Sequence, residues 1–345
     1  MLATIWLTDN CNLSCSYCYE KNKGSRFMDR LTGRMAADFL VSHAISNDIP
    51  DININFYGGE PLLNFSVMQY IASYIKDKCK AHGLRVGFMF TTNGTILNDD
   101  ITEFIERFRV SISISIDGPK AIHDKNRKHI DGRGSFDKAH RAGKRLQILP
   151  ISLIARLTFD AGTVGNLARS IEFLADQGYM VIKPVPNFFA EGWNESSLSQ
   201  FQEQLLDIVN LEKKYPKTDI TILKPYLKRR KVSPCQGAGI HELNIMTDGN
   251  LYPCTVVAGN SRFNVGDINN GIDWITLRNQ HSANAAIARE SCRGCNYFDF
   301  CLSARCTYVN YSMTGDLSMT NRAYCRINRI LFAFTEQALG KYVAI

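Results

Sequence analysis

The sequence contains no hydrophobic run that could cross a membrane. No apolar stretch approaches the roughly eighteen residues of a spanning helix. The start of the chain, Met1-Leu-Ala-Thr, lacks the basic region and apolar core of a signal peptide. These two absences disfavour membrane and secreted proteins, and we expect a cytoplasmic protein without a membrane partner.

A strong excess of charge is missing as well. The 345 residues have a formal net charge of +7 when cysteines are counted as neutral. The one basic run, Lys228-Arg229-Arg230-Lys231, is more typical of a solvated segment between domains than of a binding patch, although it could steer an acidic peptide. We therefore expect no nucleic-acid partner.

Cysteine, by contrast, is abundant. The chain has eleven cysteines, an odd number that disulfides alone would leave with one unpaired. In a larger chain without a targeting signal, so many cysteines indicate metal ligation. Cys79 fits no spacing pattern, and we expect it to be a buried thiol without a metal.

Three cysteines lie close together, at Cys11, Cys15 and Cys18, just after an apolar run that predicts a strand. No histidine precedes His43, so a closed tetrahedral zinc site has no local fourth ligand. Three thiolates suit an iron–sulfur cluster with one open iron, which can bind a second molecule. Zinc with a distant fourth ligand, or three buried reduced cysteines, are the alternatives.

Up to about residue 190, short β-rich runs alternate with longer amphipathic ones, which is the pattern of parallel strands joined by crossover helices. Strands are predicted at 2–8, 52–57, 86–91, 110–116, 151–158 and 180–185. Helices are predicted at 31–46, 65–80, 99–108, 135–147, 163–177 and 198–214. Six strand–helix units are fewer than a closed eight-stranded barrel needs, so the pattern predicts an α/β fold short of a closed barrel.

Unusual residues follow the second and third predicted strands. Gly58 and Gly59 would let the backbone approach a ligand closely, and Glu60 adds an anion for an ammonium group. Thr92 and Asn93 follow the third strand. Ordinary Gly-Gly and Asn-Gly turns are the alternative explanation.

The fourth and fifth strands indicate a polar interior. Alternation places Ser111, Ser113 and Ser115 on one face and the intervening isoleucines on the other. A polar row inside a barrel favours a ligand-lined lumen over a dry core. Arg156, in the fifth strand, would also face the lumen. A salt bridge inside the barrel is the alternative for this arginine.

A second cysteine set follows an irregular stretch. Its members are Cys235, Cys254, Cys292, Cys295, Cys301, Cys306 and Cys325. Seven cysteines are too many for one zinc site and too few for two closed ones. The change of pattern predicts a domain boundary near 220–234, between domains of residues 1–220 and 221–345.

The two cysteine sets and the Gly58-Gly59-Glu60 motif together resemble those of radical S-adenosylmethionine (SAM) enzymes with a SPASM extension. The resemblance covers nearly the whole chain and includes the Asp248–Pro253 stretch before Cys254 and Tyr308-x-Asn310. It implies that residues 1–220 form a partial (β/α)6 TIM-like barrel with a connector. Residues 221–345 would form a small, irregular, cysteine-rich α+β SPASM domain with a C-terminal helix.

The resemblance also implies the cofactors. In this family three cysteines hold a [4Fe-4S] cluster whose open iron chelates SAM, and an electron from the cluster cleaves SAM to methionine and a 5′-deoxyadenosyl radical. The SAM-binding cluster would use Cys11, Cys15 and Cys18, the first auxiliary cluster Cys235, Cys254 and Cys306, and the second Cys292, Cys295, Cys301 and Cys325. The SAM contacts would be Tyr17, Gly58, Gly59, Glu60, Thr92, Asn93, Ser115 and Arg127. Three such clusters would lower the net charge to about +3.

The chain departs from the family pattern at two places. Four residues separate Cys301 from Cys306 where three are usual, which puts the assignment of Cys306 in question. Sulfatase-maturing relatives have an aspartate, their proposed base, directly after the second auxiliary cysteine, whereas here Thr255 follows Cys254. Formylglycine formation is therefore disfavoured, and no catalytic base is assigned.

The resemblance thus implies an oxidoreductase that matures a ribosomally made peptide (RiPP) by forming a thioether, a carbon–carbon cross-link or another oxidative modification. Expected partners are the precursor peptide and a small reductant protein, flavodoxin or ferredoxin. Because only ten residues precede Cys11, either the enzyme itself recognises the peptide or a separate leader-binding protein brings it. The alternatives are a sulfatase-type formylglycine-forming enzyme and a non-catalytic zinc- or iron–sulfur-binding protein.

Overall fold

The computed structural model describes residues 1–20, 23–227, 231, 239–286 and 290–342. Its strands are β1 (Leu2–Thr8), β2 (Asp51–Gly58), β3 (Arg85–Thr92), β4 (Ser111–Ser115), β5 (Leu153–Phe159), β6 (Val181–Pro186), β7 (Asp219–Ile220), β8 (Glu242–Ile245), β9 (Leu251–Tyr252), β10 (Gly266–Asp267) and β11 (Gly271–Ile272). Its helices are α1 (Arg30–Ser46), α2 (Phe65–Ala81), α3 (Asp99–Phe108), α4 (Lys120–Asn126), α5 (Phe136–Gln147), α6 (Leu167–Asp176), α7 (Glu195–Lys214), α8 (Lys224–Leu227), α9 (Trp274–Ala286), α10 (Leu302–Arg305), α11 (Thr307–Thr314) and α12 (Arg322–Tyr342).

Nine strands form one sheet in the order β7-β6-β5-β4-β3-β2-β1-β8-β9. From β1 to β7 each strand pairs in parallel with the next one along the chain. This topology confirms the predicted α/β class. The six predicted strands are all present and their bounds differ by no more than two residues from the prediction.

The sheet continues beyond the predicted strands at both edges. At one edge β7 pairs with β6, and at the other β8 pairs in parallel with β1 and is followed by the antiparallel strand β9. The cysteine-rich part of the chain therefore supplies two strands of the main sheet. No helix in the described part of the chain is long and apolar enough to span a membrane.

Helices α1 and α3 begin where polar side chains cap their first turns. The side chain of Asp29 accepts from the Thr32 amide at the start of α1, and that of Asn98 accepts from the Ile101 amide at the start of α3. The helix predicted at 163–177 begins instead at Leu167, after a short 3-10 turn. The short helix α4 was not predicted.

The main hydrophobic core lies between the sheet and its helices. On β4, Ile112 and Ile114 are buried in this core, as is Ile116 just after the strand, while Ser115 lies on the opposite face. The predicted alternation of this strand is therefore confirmed. Cys79 is buried in the same core, as predicted.

Two smaller apolar clusters lie in the cysteine-rich part. The Trp6 cluster joins β1 to that part and consists of Trp6, Met246, Tyr252, Val257, Phe263 and Tyr308. The Phe332 cluster consists of Cys292, Cys301, Ala304 and Phe332. Helix α12 connects the second cluster to the barrel, because the Tyr324 ring packs 3.9 Å from the Phe188 ring, centroid to centroid.

Candidate active site

The first three cysteines lie on the loop that leaves β1. The backbone of this loop is fixed from outside: the Ser14 amide donates to the Lys128 carbonyl at 2.8 Å, and the Ser16 amide donates to the Asn126 carbonyl at 3.0 Å. Because these bonds are to the end of α4 and the segment after it, the position of the cysteine loop depends on the β4–α5 connection.

Gly58 and Gly59 are required by close packing against the cysteine loop. A Cβ atom on Gly58, whose φ is +144°, would lie 2.1 Å from the Thr8 carbonyl oxygen. A Cβ atom on Gly59 would lie 2.3 Å from the Asn10 carbonyl oxygen and 2.9 Å from the Cys11 Cβ. Any larger side chain at either position would push the loop away from β2. Seating the cysteine loop is thus one function of the glycine pair.

Glu60 joins this loop to the end of β3. Its carboxylate accepts from the Thr92 hydroxyl at 2.9 Å, the Asn93 amide at 2.8 Å and the Leu62 amide at 3.2 Å. Burial raises the pKa of Glu60 to about 7, against the lowering effect of these hydrogen bonds. The carboxyl group is therefore both structurally bonded and poised near neutral pH.

Asn93 extends the same network to the cysteine loop. Its side-chain amide donates to the side-chain oxygen Oδ1 of Asn12 at 2.8 Å, and the side-chain Nδ2 of Asn12 donates in turn to the Thr95 hydroxyl at 2.8 Å. The ring of hydrogen bonds ties the loops after β1 and β3 together. Asn12 was not among the predicted site residues.

Asp117 forms a second hub. It accepts from the Tyr17 hydroxyl, from Arg127 Nε at 2.8 Å and from the Thr158 amide at 2.9 Å. The Arg127 guanidinium also lies 5.2 Å from the Tyr17 ring centroid. Both Tyr17 and Arg127 are thus held by a carboxylate that was not among the predicted site residues.

One cavity of about 390 Å³ collects most of these residues. It is lined by the three loop cysteines, by all eight predicted SAM-contacting residues, and by residues that follow β6. Its lining includes Cys11, Cys15, Cys18, Tyr17, Gly58, Gly59, Glu60, Thr92, Asn93, Ser115 and Arg127. The residues predicted from separate motifs therefore lie at the carboxyl ends of neighbouring strands, where α/β barrels place their sites.

The later cysteines lie in two groups. Cys254 and Cys306 both pack against the Trp6 cluster. Cys292 and Cys301 are buried in the Phe332 cluster. Burial is the largest cause that raises the pKa of Cys325, and the nearby thiols of Cys301, Cys292 and Cys295 raise it further. These four thiols are therefore neighbours. Cys235 lies outside the described residues, as does most of the basic run 228–231.

A family model described as the Radical SAM superfamily matches residues 6–156. These residues form a radical SAM domain. The match begins within β1 and ends within β5, so it includes the cysteine loop, Glu60 and Asp117. Members of this family bind SAM and a [4Fe-4S] cluster.

Similarity to known proteins extends beyond the radical SAM domain. A cysteine-type anaerobic sulfatase-maturating enzyme of Clostridium perfringens is 22% identical over 316 residues, 85% of each chain. The solved structure "Native anSMEcpe with bound AdoMet" superposes with a TM-score of 0.81 over 99% of both chains at 18% identity. SuiB of Streptococcus suis bound to its precursor peptide SuiA superposes with a TM-score of 0.67, covering 94% of this chain and 75% of SuiB, at 12% identity.

The structural matches and the sequence matches cover different shares of the proteins compared. The two structural matches show that the chain shares its fold with radical SAM proteins, including the partial barrel and the cysteine-rich C-terminal part. The chain spans half or less of the length of the first curated relatives that it matches, 42%, 49% and 32%.

The donor sets fit iron–sulfur clusters. Three thiols of the radical SAM domain share one cavity, and the later cysteines form a pair and a group of four. Within the described ranges no three His, Cys, Asp or Glu side chains converge on a single-ion site. In a cubane each thiolate binds a different iron, so its donors need not converge in this way. Among the described residues, two buried N–H donors without a partner, Trp6 Nε1 and Asn310 Nδ2, belong to residues of this region and suit the sulfides of a cluster, which accept hydrogen bonds. The Asn310 backbone amide donates to the Cys306 carbonyl at 3.1 Å.

Sequence reasoning missed several residues of the site. Phe188 and Phe189 line the cavity after β6, and Val256 reaches it from the cysteine-rich part. The rule that chemical residues follow each strand could have found the two phenylalanines. Val256 had no such signal, because its place depends on how the C-terminal part folds against the barrel.

Proposed function

We propose that the chain is a radical SAM enzyme that oxidatively modifies a ribosomally made precursor peptide. The proposal rests chiefly on one observation: Cys11, Cys15 and Cys18 share a single cavity with Gly59 and Glu60. A non-catalytic zinc- or cluster-binding protein would have no use for a ligand-sized, polar-lined cavity beside the cysteines.

The three loop cysteines would hold the SAM-binding cluster, and the eight predicted residues would surround SAM. When bound, the cluster supplies an electron and SAM supplies the 5′-deoxyadenosyl radical that abstracts a hydrogen atom. Arg127 has one N–H committed to Asp117, and a guanidinium has four further N–H donors for a carboxylate. Glu60, with its pKa raised to about 7 by burial, would accept a hydrogen bond from an ammonium group.

The aromatic wall of the cavity would exclude water and position the peptide. Tyr19 and Phe189 stack at 5.9 Å between ring centroids, and Phe188, which also lines the cavity, packs against Tyr324. A peptide substrate is supported by the likeness to SuiB, which was solved with its precursor peptide. The ten predicted cluster ligands would hold one SAM-binding and two auxiliary [4Fe-4S] clusters.

The remaining partners follow from this chemistry. A flavodoxin or ferredoxin would supply the electron, and a separate leader-binding protein would assist if the enzyme alone does not hold its peptide. Many free thiols need a reducing compartment, so we propose that the enzyme acts in the cytoplasm.

Formylglycine formation is the second candidate. It is favoured by the similarity to sulfatase-maturating enzymes over most of the chain. Against it, the residue after Cys254 is Thr255, whose hydroxyl donates to the Asn244 side chain at 2.9 Å. A threonine cannot replace an aspartate as a base at this position, so we favour a different oxidative modification.

The experiment is an anaerobic incubation of the reconstituted enzyme with SAM, reductant and the short peptides encoded beside its gene. We expect one peptide to lose two hydrogen atoms in a SAM-dependent way, without forming an aldehyde that reacts with a hydrazide probe. Cys15→Ala is the control and should leave every peptide unchanged. A hydrazide-reactive product would support formylglycine formation instead, and no modified peptide would argue against a peptide maturase.

A further inference from the structure

Arg156 is a cavity-lining cation that has no counter-ion among the described residues. It lies on β5 between Ala155 and Leu157, which are both buried in the helix-facing core, so its own side chain lies on the opposite face and lines the cavity. In the described part of the chain its guanidinium forms no ion pair and no hydrogen bond. The salt bridge considered as the alternative from the sequence is therefore not formed there.

The groups around Arg156 do not neutralise it. Asp117 is the nearby carboxylate, but it is already bonded to Arg127, Tyr17 and the Thr158 amide. The other charged and titratable groups that interact with Arg156 are Tyr57, Tyr17, Arg127 and Lys183. Burial lowers the pKa of Arg156, and burial together with Arg156 lowers the pKa of Lys183.

Strand register places the two cations side by side. Arg156 is the partner of Ser115 on β4 and of Lys183 on β6. The three side chains therefore lie at one level of the sheet. Since Asp117 and Arg127 cancel each other's charge, Arg156 and Lys183 leave an excess of two positive charges at this level. Arg156 is partly buried and Lys183 is exposed, so Arg156 is the cation that lacks full hydration, and a bound anion would neutralise it.

The SAM carboxylate is not the best occupant of this position. In radical SAM enzymes the open iron of the cluster binds the amino-acid end of SAM. This end would therefore lie next to the cysteine loop. Arg127 is the arginine there, because it interacts electrostatically with Cys15. Arg156 interacts with Tyr57, Arg127, Tyr17 and Asp117, and none of these groups is a cysteine.

We propose that Arg156, with Lys183 beside it, binds a carboxylate of the peptide substrate, either an Asp or Glu side chain or the C-terminal carboxylate. The planar guanidinium suits a carboxylate through two parallel hydrogen bonds, and the ammonium of Lys183 adds a point charge. Arg156 is thus a positioning residue for substrate. This inference rests on the proposed peptide-modifying function.

The test uses the reconstituted, SAM-loaded protein and a pool of random-sequence dodecapeptides, half with free and half with amidated C-termini. We expect wild type to enrich either Asp and Glu or free C-termini by roughly tenfold, the size expected for a charge-assisted contact. Arg156→Met should abolish the enrichment and Arg156→Lys should retain part of it. The control Arg133→Met removes an exposed arginine that is paired with Asp131 and should behave as wild type. The two halves of the pool distinguish a side-chain from a terminal carboxylate.

Three results would overturn the inference. Wild type could show no preference for carboxylates, or Arg156→Met could keep the preference. Arg156→Met could also weaken SAM binding by tenfold while peptide selection persists, in which case the arginine holds SAM. If Arg156→Met does not fold, Lys183→Met, whose side chain is exposed, should still reduce the preference. Formation of 5′-deoxyadenosine by wild type in the same preparations tests the proposed function separately.

Discussion

At the level of single residues, the glycine pair shows how one motif meets two demands. The sequence suggests a ligand that approaches the backbone. The structure adds that the carbonyl groups of Thr8 and Asn10 occupy the space where the Cβ atoms of Gly58 and Gly59 would be. These positions would therefore need glycine to seat the cysteine loop even without a ligand.

Gly59→Ala should destabilise the fold and loosen the cysteine loop. The added methyl group would meet the Asn10 carbonyl oxygen and the Cys11 Cβ, and overpacking of this kind costs about 1–3 kcal/mol. Urea unfolding and iron content per chain measure the two effects. Gly165→Ala is the matched control, because the nearest atom there is the end of the flexible Gln200 side chain at 3.1 Å. Equal behaviour of the two variants would contradict this account.

His123 should make the fold sensitive to acid. It is fully buried, its Nδ1 accepts from the Asp117 amide at 3.3 Å, and burial lowers its pKa to about 4. In the unfolded chain His123 binds a proton below about pH 6.5, whereas in the folded chain it stays neutral down to about pH 4. The stabilisation of the fold by neutral His123 is therefore complete above pH 6.5 and is lost as the pH falls towards 4. By pH 5.5 the free energy of unfolding should have fallen by about 1 kcal/mol from this cause.

Unfolding free energies at pH 7.5 and 5.5 measure this effect. His123→Asn should be less stable than wild type at pH 7.5, since it loses packing, but the part of the acid sensitivity that comes from His123 should disappear. An unchanged pH dependence in the variant would show that other groups are responsible.

At the level of elements, Asp117 links three pieces of the site. Tyr17 belongs to the cysteine loop, Arg127 directly follows α4, and the Thr158 amide belongs to β5. Arg127 and Asp117 are 8% and 2% exposed, so removal of either charge leaves the other buried and unpaired. The connection after β4 thus holds the cysteine loop in place.

Asp117→Asn should cost about 3–5 kcal/mol, because breaking one side of a buried ion pair is strongly destabilising. Tyr17→Phe removes one hydrogen bond from the same carboxylate and should cost only about 1 kcal/mol. Chemical unfolding of both variants tests the difference. Similar costs would mean that the ion pair contributes little.

Long strands could be predicted from local sequence patterns, whereas the short strands could not. The strands β1 to β6 were predictable because each one is long enough to show alternation or a continuous apolar run. The strands β7 and β9 have two residues each and β8 has four, too few for a period. Their pairing depends on contacts with distant strands, which a local pattern does not contain.

At the level of the whole molecule, the cysteine-rich part is structurally joined to the barrel. Residues 2–5 of β1 pair with residues 242–245 of β8, and the Trp6 cluster combines side chains of both parts. The proposed boundary near 220–234 still separates two kinds of sequence. The sheet, however, crosses from one to the other.

Truncation after residue 220 should therefore fail to give a folded barrel. Loss of β8 would expose the edge of β1 and one face of Trp6, and an open apolar edge favours aggregation. Solubility and circular dichroism of the 1–220 fragment measure the outcome. A soluble fragment with a cooperative melting transition would show that the barrel is independent.

The site, like the fold, was predictable only in part from the sequence. Motifs at the ends of strands predicted that Glu60, Asn93 and Ser115 lie together, and the three residues line one cavity because parallel strands present their carboxyl ends together. The hub at Asp117 and the missing counter-ion of Arg156 were not predictable, since both depend on which side chains meet across the lumen. The number of clusters likewise depends on ligands that include Cys235.

The central claim is that the loop cysteines hold a cluster that cleaves SAM. The most direct measurement is anaerobic reconstitution followed by iron and sulfide counting and by assay of 5′-deoxyadenosine from SAM and reductant. Wild type, Cys15→Ala and the control Cys79→Ala would be compared. We predict about twelve irons per wild-type chain, SAM cleavage by wild type and Cys79→Ala, and none by Cys15→Ala. Bound zinc in place of iron, or cleavage that survives Cys15→Ala, would contradict the account.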